Sequence, residues 1–504
     1  MTEKIVIILI FAIYMAMMIG VGFFFYKKNR SISDYVLGGR SLNPWVAAMS
    51  AQASDMSGWL LMGLPGLAYC IYAGTTEAIW TAIGLAVGTY LNWLIVAKRL
   101  RQYTKISGDA VTLPEFFANR FRDESGILKG ISAFFILIFF IFYTASMFSS
   151  SAKLFKSVFG MEYTTALIIG VVIIVIYTFL GGFLAVCWTD MIQGILIFIA
   201  LVVVPVIAYI KGGGIDGIQS VFETVDADKF NILPFTDGGA LDIMLLISSI
   251  AWGLGYFGQP HILPRFMAIK SPKEIRPARV IATIWVVITL GMAIVVGVAG
   301  RALYPGLADT ETIFIVMVKD LFPPVLTGIF LTAILAAIMS SADSQLLVAS
   351  SAMSKDIYGG VINKKAGEKK LMWLSRISVV IISILAALLV SVENPKPDSL
   401  MEKINESVFD LVSFAWAGFG AAFGPIVLFS LFWKKTTKPA AVAGIIVGAF
   451  VTCVWWMFDG GILNLYEIVP GFLLSSLVIV VVSLFTKADD EMVEEFEKVK
   501  SVEI

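Results

Sequence analysis

The chain has 504 residues, of which 58% are hydrophobic and 15% are charged, and its 37 Lys and Arg residues balance its 37 Asp and Glu residues. Soluble domains carry about 25% charged residues, so this composition excludes a soluble globule, a disordered chain and a secreted disulfide scaffold. Zero net charge argues against a nucleic-acid-binding protein. Three dispersed cysteines and a single histidine, His261, argue against a zinc site or a cysteine hydrolase.

Apolar stretches long enough to cross a bilayer recur along the whole chain. A spanning helix needs roughly 20 residues, and thirteen stretches meet this criterion. Their approximate bounds are 5–26, 45–73, 76–98, 126–155, 163–182, 185–210, 240–263, 277–302, 323–350, 372–392, 405–433, 438–458 and 463–486. The sequence therefore predicts an all-α integral membrane protein with about 13 transmembrane helices and with its termini on opposite sides.

The basic residues predict the orientation of these helices. Short cytoplasmic loops are enriched in Lys and Arg, and most of these residues fall on one side if the N-terminus lies outside the cell. We therefore expect a cytoplasmic C-terminus. Residues 1–486 are predicted to form one membrane domain because no polar stretch between spans is long enough for a second domain. Residues 487–504 are predicted to be an acidic, solvated and partly helical cytoplasmic tail.

The second span carries the polar segment 53–59, Ala-Ser-Asp-Met-Ser-Gly-Trp. An ionisable group such as Asp55 inside a membrane span costs about 2.5–3.5 kcal/mol on insertion scales. Several glycines and Pro65 in the same span predict a broken helix, which is tolerated at this depth only where it lines a cavity. The alternative is a structural carboxylate paired with backbone or with an arginine such as Arg40.

The ninth span contains residues 336–344, Ala-Ala-Ile-Met-Ser-Ser-Ala-Asp-Ser, at a depth that matches Asp55. Its small residues allow another backbone to approach closely. The hydroxyls of Ser340 and Ser341 are oxygen donors of the kind that hard cations prefer. The alternative is that each hydroxyl bonds back to the preceding helical turn.

The seventh span contains glycines at positions 253, 255 and 258 and ends in Pro260 and His261, so it is predicted to be the second broken helix. Trp252 and Tyr256 are four residues apart and share one helical face. This aromatic face suits either a substrate wall or an aromatic belt at the membrane surface. We interpret His261 as a loop or helix-end residue rather than a ligand.

The two broken spans each open a group of five spans, over residues of about 45–210 and 240–433. Because five is odd, the two groups run in opposite directions, as in an inverted repeat. Paired broken spans at matching positions of two halves indicate a binding site near the midplane of the membrane.

Four segments resemble the sodium:solute symporter family, and within it the proline-transporting branch. The segments are 37–42, 53–66, 252–261 with 265–268, and 415–425, and the resemblance extends over residues of about 10–485. It implies a ten-helix inverted-repeat core, sodium as the coupling ion without an organic cofactor, and import of L-proline across the bacterial cytoplasmic membrane by alternating access.

The resemblance also implies the roles of individual residues. Sodium is expected to bind the backbone carbonyls of Ala53, Met56 and Ala337 and the hydroxyls of Ser340 and Ser341. Asp55 is expected to be essential for cation coupling, directly or by tuning the site. The expected proline pocket consists of Ser57, Gly58, Trp59, Tyr143, Trp252, Tyr256 and Pro260. Arg40 is expected near the inner gate.

Other functions remain open from the sequence. Asp55 could carry a proton in a proton-coupled symporter, another solute could replace proline, or the chain could be a non-transporting membrane sensor. A membrane enzyme is disfavoured because no nucleophile, base and orienting group recur together at one depth. Transport is not expected to use ATP, because the sequence has no Walker A motif.

Overall fold

The computed structural model describes residues 3–26, 31–70, 73–224, 232–236, 239–393, 403–404 and 407–502. In these ranges the chain is almost entirely helical, and the only β pairings are the isolated bridges Leu42–Ile269 and Phe235–Leu241. Large apolar side chains, including Phe24, lie exposed along the outside of the helix bundle. Such a perimeter suits a lipid environment, and the predicted all-α membrane architecture is confirmed.

The described residues of the first half form twelve α-helices. They are α1 Glu3–Tyr26, α2 Ile32–Leu37, α3 Pro44–Asp55, α4 Gly58–Leu61, α5 Gly63–Tyr69, α6 Ala73–Leu91, α7 Ala97–Ile106, α8 Leu113–Arg120, α9 Ile127–Phe159, α10 Tyr163–Leu180, α11 Phe183–Lys211 and α12 Gly214–Thr224. A short 3₁₀-helix at Gly38–Arg40 follows α2, and π-helical turns at Asn92–Val96 join α6 to α7.

The second half forms ten further α-helices in the described ranges. They are α13 Ile243–Ala251, α14 Leu263–Ala268, α15 Ile275–Leu303, α16 Ile313–Leu321, α17 Pro324–Ser351, α18 Glu368–Leu389, α19 Val408–Phe432, α20 Lys438–Met457, α21 Ile468–Phe485 and α22 Asp490–Val502. Short 3₁₀-helices occupy Trp252–Gly258, Pro272–Glu274, Thr310–Thr312 and Gly461–Asn464. The ninth predicted span is longer than expected, because α17 continues through π-helical turns at Ala352–Ile362.

Ten helices of the described chain are long and apolar enough to cross a membrane, and Tyr163–Phe179 and Ile243–Gly258 are shorter apolar helices. The segment from α3 to α5 is divided into pieces and so does not count as one long helix. The total of thirteen transmembrane helices therefore stays a prediction.

Both predicted helix breaks are present. Helix α3 ends at Asp55, and Met56 and Ser57 leave helical geometry before α4 begins. In the other half, α13 tightens into 3₁₀ turns, the backbone becomes extended at Gln259, and helical structure resumes at Leu263. Glycine and proline in these segments lower helix propensity and remove a backbone donor, which explains the position of each break.

The two broken helices run in opposite directions. The start of the first lies beside the end of the second, where the Leu42 N–H donates to Ala268 O over 3.1 Å and the Lys270 N–H donates to Leu42 O over 3.0 Å. The first ends at Tyr69, whose hydroxyl donates to Tyr304 O beyond the far end of α15. This antiparallel pair is the arrangement expected at the centre of an inverted repeat.

The two chain ends lie on opposite faces of the bundle. Helix α22 lies on what we call the C-terminal face, where Glu495 pairs with Arg122 and Glu497 pairs with Lys434 at 2.9 Å each. On the opposite N-terminal face, the Lys4 ammonium donates to Phe159 O over 3.0 Å. The tail is helical as predicted, but it is solvated on one side only. Its buried apolar side consists of Met492, Phe496 and Val499.

Candidate functional site

The end of α3 is joined to α17 by two serine hydroxyls. The Ser340 hydroxyl donates to Ala53 O over 2.7 Å, and the Ser341 hydroxyl lies 3.4 Å from the same oxygen. Ser340 also lies 3.1 Å from Ala337 O in its own helix. The alternative hydrogen bond to the preceding helical turn is therefore present at Ser340, but the same hydroxyl also bonds to α3. Four oxygen atoms of hard-donor type thus converge where the first broken helix ends.

Asp55 faces the second broken helix. The Tyr256 hydroxyl donates to Asp55 Oδ2 over 2.6 Å, and Asp55 is completely buried. Its other oxygen, Oδ1, has no hydrogen-bond partner among the described residues. The alternative pairing of Asp55 with Arg40 is wrong, because the Arg40 guanidinium donates to groups at the C-terminal face.

Aromatic side chains surround the break. The Asp55 carbonyl accepts from the Tyr143 hydroxyl and from the Trp59 indole N–H, each over 3.3 Å. The Trp59 and Trp252 rings are 6.0 Å apart. Trp252 is 4% exposed and Tyr256 is 1% exposed, so a belt at the membrane surface is wrong for both rings. The structure brings this aromatic group together next to Asp55.

Close packing restricts the residues that follow the break. A Cβ atom at Gly58 would lie 2.7 Å from Ser150 Oγ, so only glycine fits there without a shift of α9. Ser57 is also completely buried. These two residues place the start of α4 directly against its neighbours and leave its backbone close to the aromatic group.

Pro260 does not line the open cavity that reaches Trp252. It lines a small cavity of about 20 Å³ on the side of the C-terminal face, together with Thr112 and Asp356. His261 lies at the second helix break, as predicted, and its buried ring packs edge-on against Tyr143 at 5.7 Å. Neither ring nitrogen of His261 has a hydrogen-bond partner within the described part of the chain.

Trp416 is a site residue to which the sequence analysis gave no role. Its indole N–H donates to Trp252 O over 2.8 Å, and its ring packs edge-on against Tyr256 at 4.9 Å. A Cβ atom at Gly255 would lie 1.9 Å from Trp416 Nε1. The glycines of the seventh span therefore admit a tryptophan from α19, and this tryptophan fixes the positions of Trp252 and Tyr256.

A buried ionic group next to the serine pair was also missed. Arg265 and Asp190 form an ion pair at 3.3 Å, and both side chains are completely buried. The Ser50 hydroxyl donates to Asp190 over 2.7 Å, and Arg265 donates to Ser50 over 3.1 Å and to Ser344 over 2.5 Å. This group joins α3, α11, α14 and α17 about one turn from Ala53 and Ser340. Removal of one partner from such a group leaves an uncompensated buried charge.

Arg40 makes several hydrogen bonds at the C-terminal face. Its guanidinium donates to Asp109 over 2.9 Å, to Thr104 over 3.1 Å, and to the carbonyls of Ala110 and Met267 over 2.8 and 2.7 Å. These groups belong to residues 104–110 and to α14, so Arg40 joins its own segment to two others. Arg40 therefore holds the ends of both broken helices to the loop after α7.

The two faces differ in access to the site. The N-terminal face has an open cavity of about 480 Å³ whose lining includes Trp252. On the other side, the cavity beside Pro260 holds only about 20 Å³. The cavity that reaches Trp252 therefore opens toward the N-terminal face, as expected for one of the two states of alternating access.

Two antiparallel broken helices, a polar group between them and a cavity that opens to one face define a secondary transporter with an inverted-repeat core. Residues 35–448 match the sodium:solute symporter family. The chain belongs to this family.

Three relatives support this assignment over nearly the whole chain. The high-affinity proline transporter PutP of Bacillus subtilis is 46% identical over 481 residues, which cover 94% of this chain and 97% of that protein. The sodium/proline symporter of Escherichia coli is 46% identical over 486 residues, which cover 95% and 93%. The osmoregulated proline transporter OpuE of Bacillus subtilis is 44% identical over 488 residues, which cover 95% of each chain.

Solved structures show the same fold. A Na⁺-coupled sialic acid symporter in a substrate-bound outward-open state matches with a TM-score of 0.77 and 21% identity, over 96% of this chain and 99% of that chain. The nucleobase-cation-symport-1 family transporter Mhp1 matches with a TM-score of 0.53 and 12% identity, over 92% and 98%. At such low identity these matches show the fold alone.

Proposed function

We propose that the chain is a sodium-coupled symporter that imports L-proline by alternating access. The observation that carries this proposal is the contact of Ser340 and Ser341 with the Ala53 carbonyl at the break of the first helix. Two relatives at 46% identity are named as a proline transporter and as a sodium/proline symporter. These names support the same substrate and ion.

Sodium is proposed to bind between α3 and α17. The carbonyl oxygens of Ala53, Met56 and Ala337 and the hydroxyls of Ser340 and Ser341 form its proposed ligand set. The bond from Ser340 to Ala53 would then be replaced by coordination of both oxygens to one ion. Such an ion holds the end of α3 against α17, because its ligands come from both of these segments.

Proline is proposed to bind beside Asp55. The proposed pocket consists of Ser57, Gly58, Trp59, Tyr143, Trp252 and Tyr256, with Pro260 toward the C-terminal face. The unpartnered Asp55 Oδ1 offers an acceptor to the secondary ammonium of proline, and the aromatic rings offer an apolar surface to its pyrrolidine ring. Sodium and proline thereby order the same unwound segment, so each reduces the ordering cost left for the other.

The C-terminal face is proposed to be cytoplasmic, with the N-terminus outside. The basic residues of this face, including Arg40, Arg101 and Lys105, support this orientation. A membrane potential of 100 mV contributes about 2.3 kcal/mol for each positive charge that moves inward, and the sodium gradient adds to it. Proline accumulation then follows without ATP.

Transport in proteoliposomes tests the proposed function. We expect labelled proline to exchange against internal proline in counterflow when sodium is present, and to exchange at least about tenfold more slowly when choline replaces sodium at fixed pH. A proton-coupled symporter would keep its rate in choline and would change with pH instead. A non-transporting sensor would show no counterflow in either salt.

Replacement of Arg40 tests the proposed inner gate. Arg40→Gln removes the charge-assisted bonds that join three segments, each worth about 1.5–3 kcal/mol. Ser351→Cys introduces a reporter cysteine beside the small cavity. A membrane-impermeant thiol reagent added at the C-terminal face should react with this cysteine at least about tenfold faster when Arg40→Gln is also present. Lys105→Gln, which breaks only the exposed pair with Asp109, is the matched control. Equal labelling rates in both backgrounds would contradict the gate assignment.

A further inference from the structure

The open cavity on the N-terminal face has walls rich in aromatic rings. Trp252, Phe409, Trp455, Trp456 and Tyr466 all line it. Trp252 stacks on Tyr466 with ring centroids 5.4 Å apart, and its ring lies 4.9 Å from that of Phe409. The faces of such rings attract cations electrostatically.

The same cavity is strongly acidic. Among the described residues, its lining includes a single basic side chain, Lys403, and five acidic ones: Glu77, Asp242, Asp410, Asp459 and Glu467. Lys403 pairs with Asp459 at 2.9 Å and lies 5.4 Å from the centre of the Trp456 ring. One acidic group is thus balanced by Lys403, and the cavity keeps an excess of negative charge.

Glu467 supplies a second and independent indication of a ligand. The residue is only 8% exposed, and its Oε1 atom has no hydrogen-bond partner within the described part of the chain. A buried carboxylate oxygen without a partner is unfavourable unless another group supplies a positive charge or a donor. Since Glu467 lines the cavity, a cation bound there would offset its negative charge.

The arrangement suits an organic cation better than a metal ion. No group of three or more His, Cys, Asp or Glu residues in the described chain could hold a metal ion, so the carboxylates surround the cavity without converging on one point. A volume of about 480 Å³ lies in the range of small-molecule sites. Aromatic rings and carboxylates line the same cavity, and aromatic rings are typical of sites that recognise alkylammonium groups.

We propose that this outer cavity binds an organic ammonium ion with an apolar body, and that an occupant blocks the path to Trp252. Binding to the cavity is independent of sodium and proline. Only the blocking effect rests on the proposed transport function.

Equilibrium binding to the purified full-length chain in nanodiscs tests the proposal. The probe is benzyltrimethylammonium, measured by calorimetry in potassium buffer without sodium or proline. We expect saturable binding of this probe and none of the neutral N-benzylacetamide. Glu467→Gln and Glu77→Gln are each expected to raise the Kd at least about tenfold. Glu162→Gln, which changes an exposed carboxylate on the same face outside the cavity, is expected to leave it unchanged.

The pH dependence gives a second readout, because a quaternary ammonium keeps its charge at every pH. Burial and, to a smaller extent, the nearby Asp410 charge raise the pKa of Glu467 to about 7, against the opposing effects of a backbone hydrogen bond and the Lys403 charge. Among the described residues, Cys453 and Tyr466 are further titratable groups that interact with Glu467. Glu467 is ionised above its pKa and neutral below it. The affinity for the probe should therefore decrease as the pH is lowered from about 8 to about 6. Glu467→Gln should make the affinity less dependent on pH.

Three results would overturn the proposal. The first is equal binding of the neutral compound. The second is an unchanged Kd for the probe in both Glu467→Gln and Glu77→Gln. If Glu467→Gln does not fold, Glu77→Gln alone serves for this comparison. The third is probe binding that requires sodium and is displaced by proline, since this would place the probe in the inner pocket. A variant with both Ser340→Ala and Ser341→Ala should keep probe binding, so failure of the sodium site is distinguishable from failure of this proposal.

Discussion

Ser340→Ala is expected to raise the sodium concentration for half-maximal proline uptake at least about tenfold, equivalent to about 1.4 kcal/mol. The hydroxyl of Ser340 lies 2.7 Å from Ala53 O, whereas that of Ser341 lies 3.4 Å from it. The effect of Ser341→Ala should therefore be smaller. The combined variant should lose sodium stimulation, because no side-chain oxygen of the proposed ligand set remains.

Two control variants distinguish a lost ligand from a damaged helix. Thr332→Val removes a buried hydroxyl of the same helix that bonds only to its own turn, at Gly328 O. Ser341→Thr keeps the oxygen and adds a methyl group. In both variants, the sodium concentration for half-maximal proline uptake should stay within about twofold of the parent value. A combined Ser340→Ala and Ser341→Ala variant with unchanged sodium dependence would contradict the proposed ligand set.

Tyr256→Phe is expected to raise the half-saturating concentrations of both proline and sodium, by about tenfold or more. The change removes a single oxygen, and that oxygen donates to Asp55 Oδ2 over 2.6 Å. A hydrogen bond to a charged group contributes about 1.5–3 kcal/mol. Because sodium and proline are proposed to order one segment, a disturbance of Asp55 should weaken both ligands together.

Asp55→Asn completes this test in uptake assays. It keeps the shape of the side chain and removes its charge, so uptake driven by sodium should fall below one tenth of the parent rate. The control is Tyr163→Phe, which removes a buried tyrosine hydroxyl that donates to Val390 O at the N-terminal face. Comparable effects of Tyr256→Phe and Tyr163→Phe would show that the Tyr256 bond has no special role.

The sequence predicted the features that depend on local chemistry. Glycine and proline placed both helix breaks, and the depth of Asp55 and of Ser340 indicated that they lie near each other. The apolar side of α22 had a readable signal as well, because Met492, Phe496 and Val499 recur at helical spacing. The acidic composition of the tail concealed it.

The sequence did not predict which side chains meet between helices. Asp55 and Tyr256 are 201 residues apart, and Arg265 and Asp190 are 75 residues apart. Such pairs depend on the rotation and register of packed helices, which hydropathy does not specify. Asp190 inside the sixth predicted span and Arg265 just after the seventh were the available signals for the buried ionic group, because a charge at such a depth needs a partner.

Binding of ²²Na⁺ to the purified protein in the absence of proline tests the proposed sodium site most directly. We expect saturable binding to the parent protein and to Thr332→Val. The combined Ser340→Ala and Ser341→Ala variant should lose it. Saturable ²²Na⁺ binding of parental affinity in the combined variant would contradict a site between the broken α3 and α17.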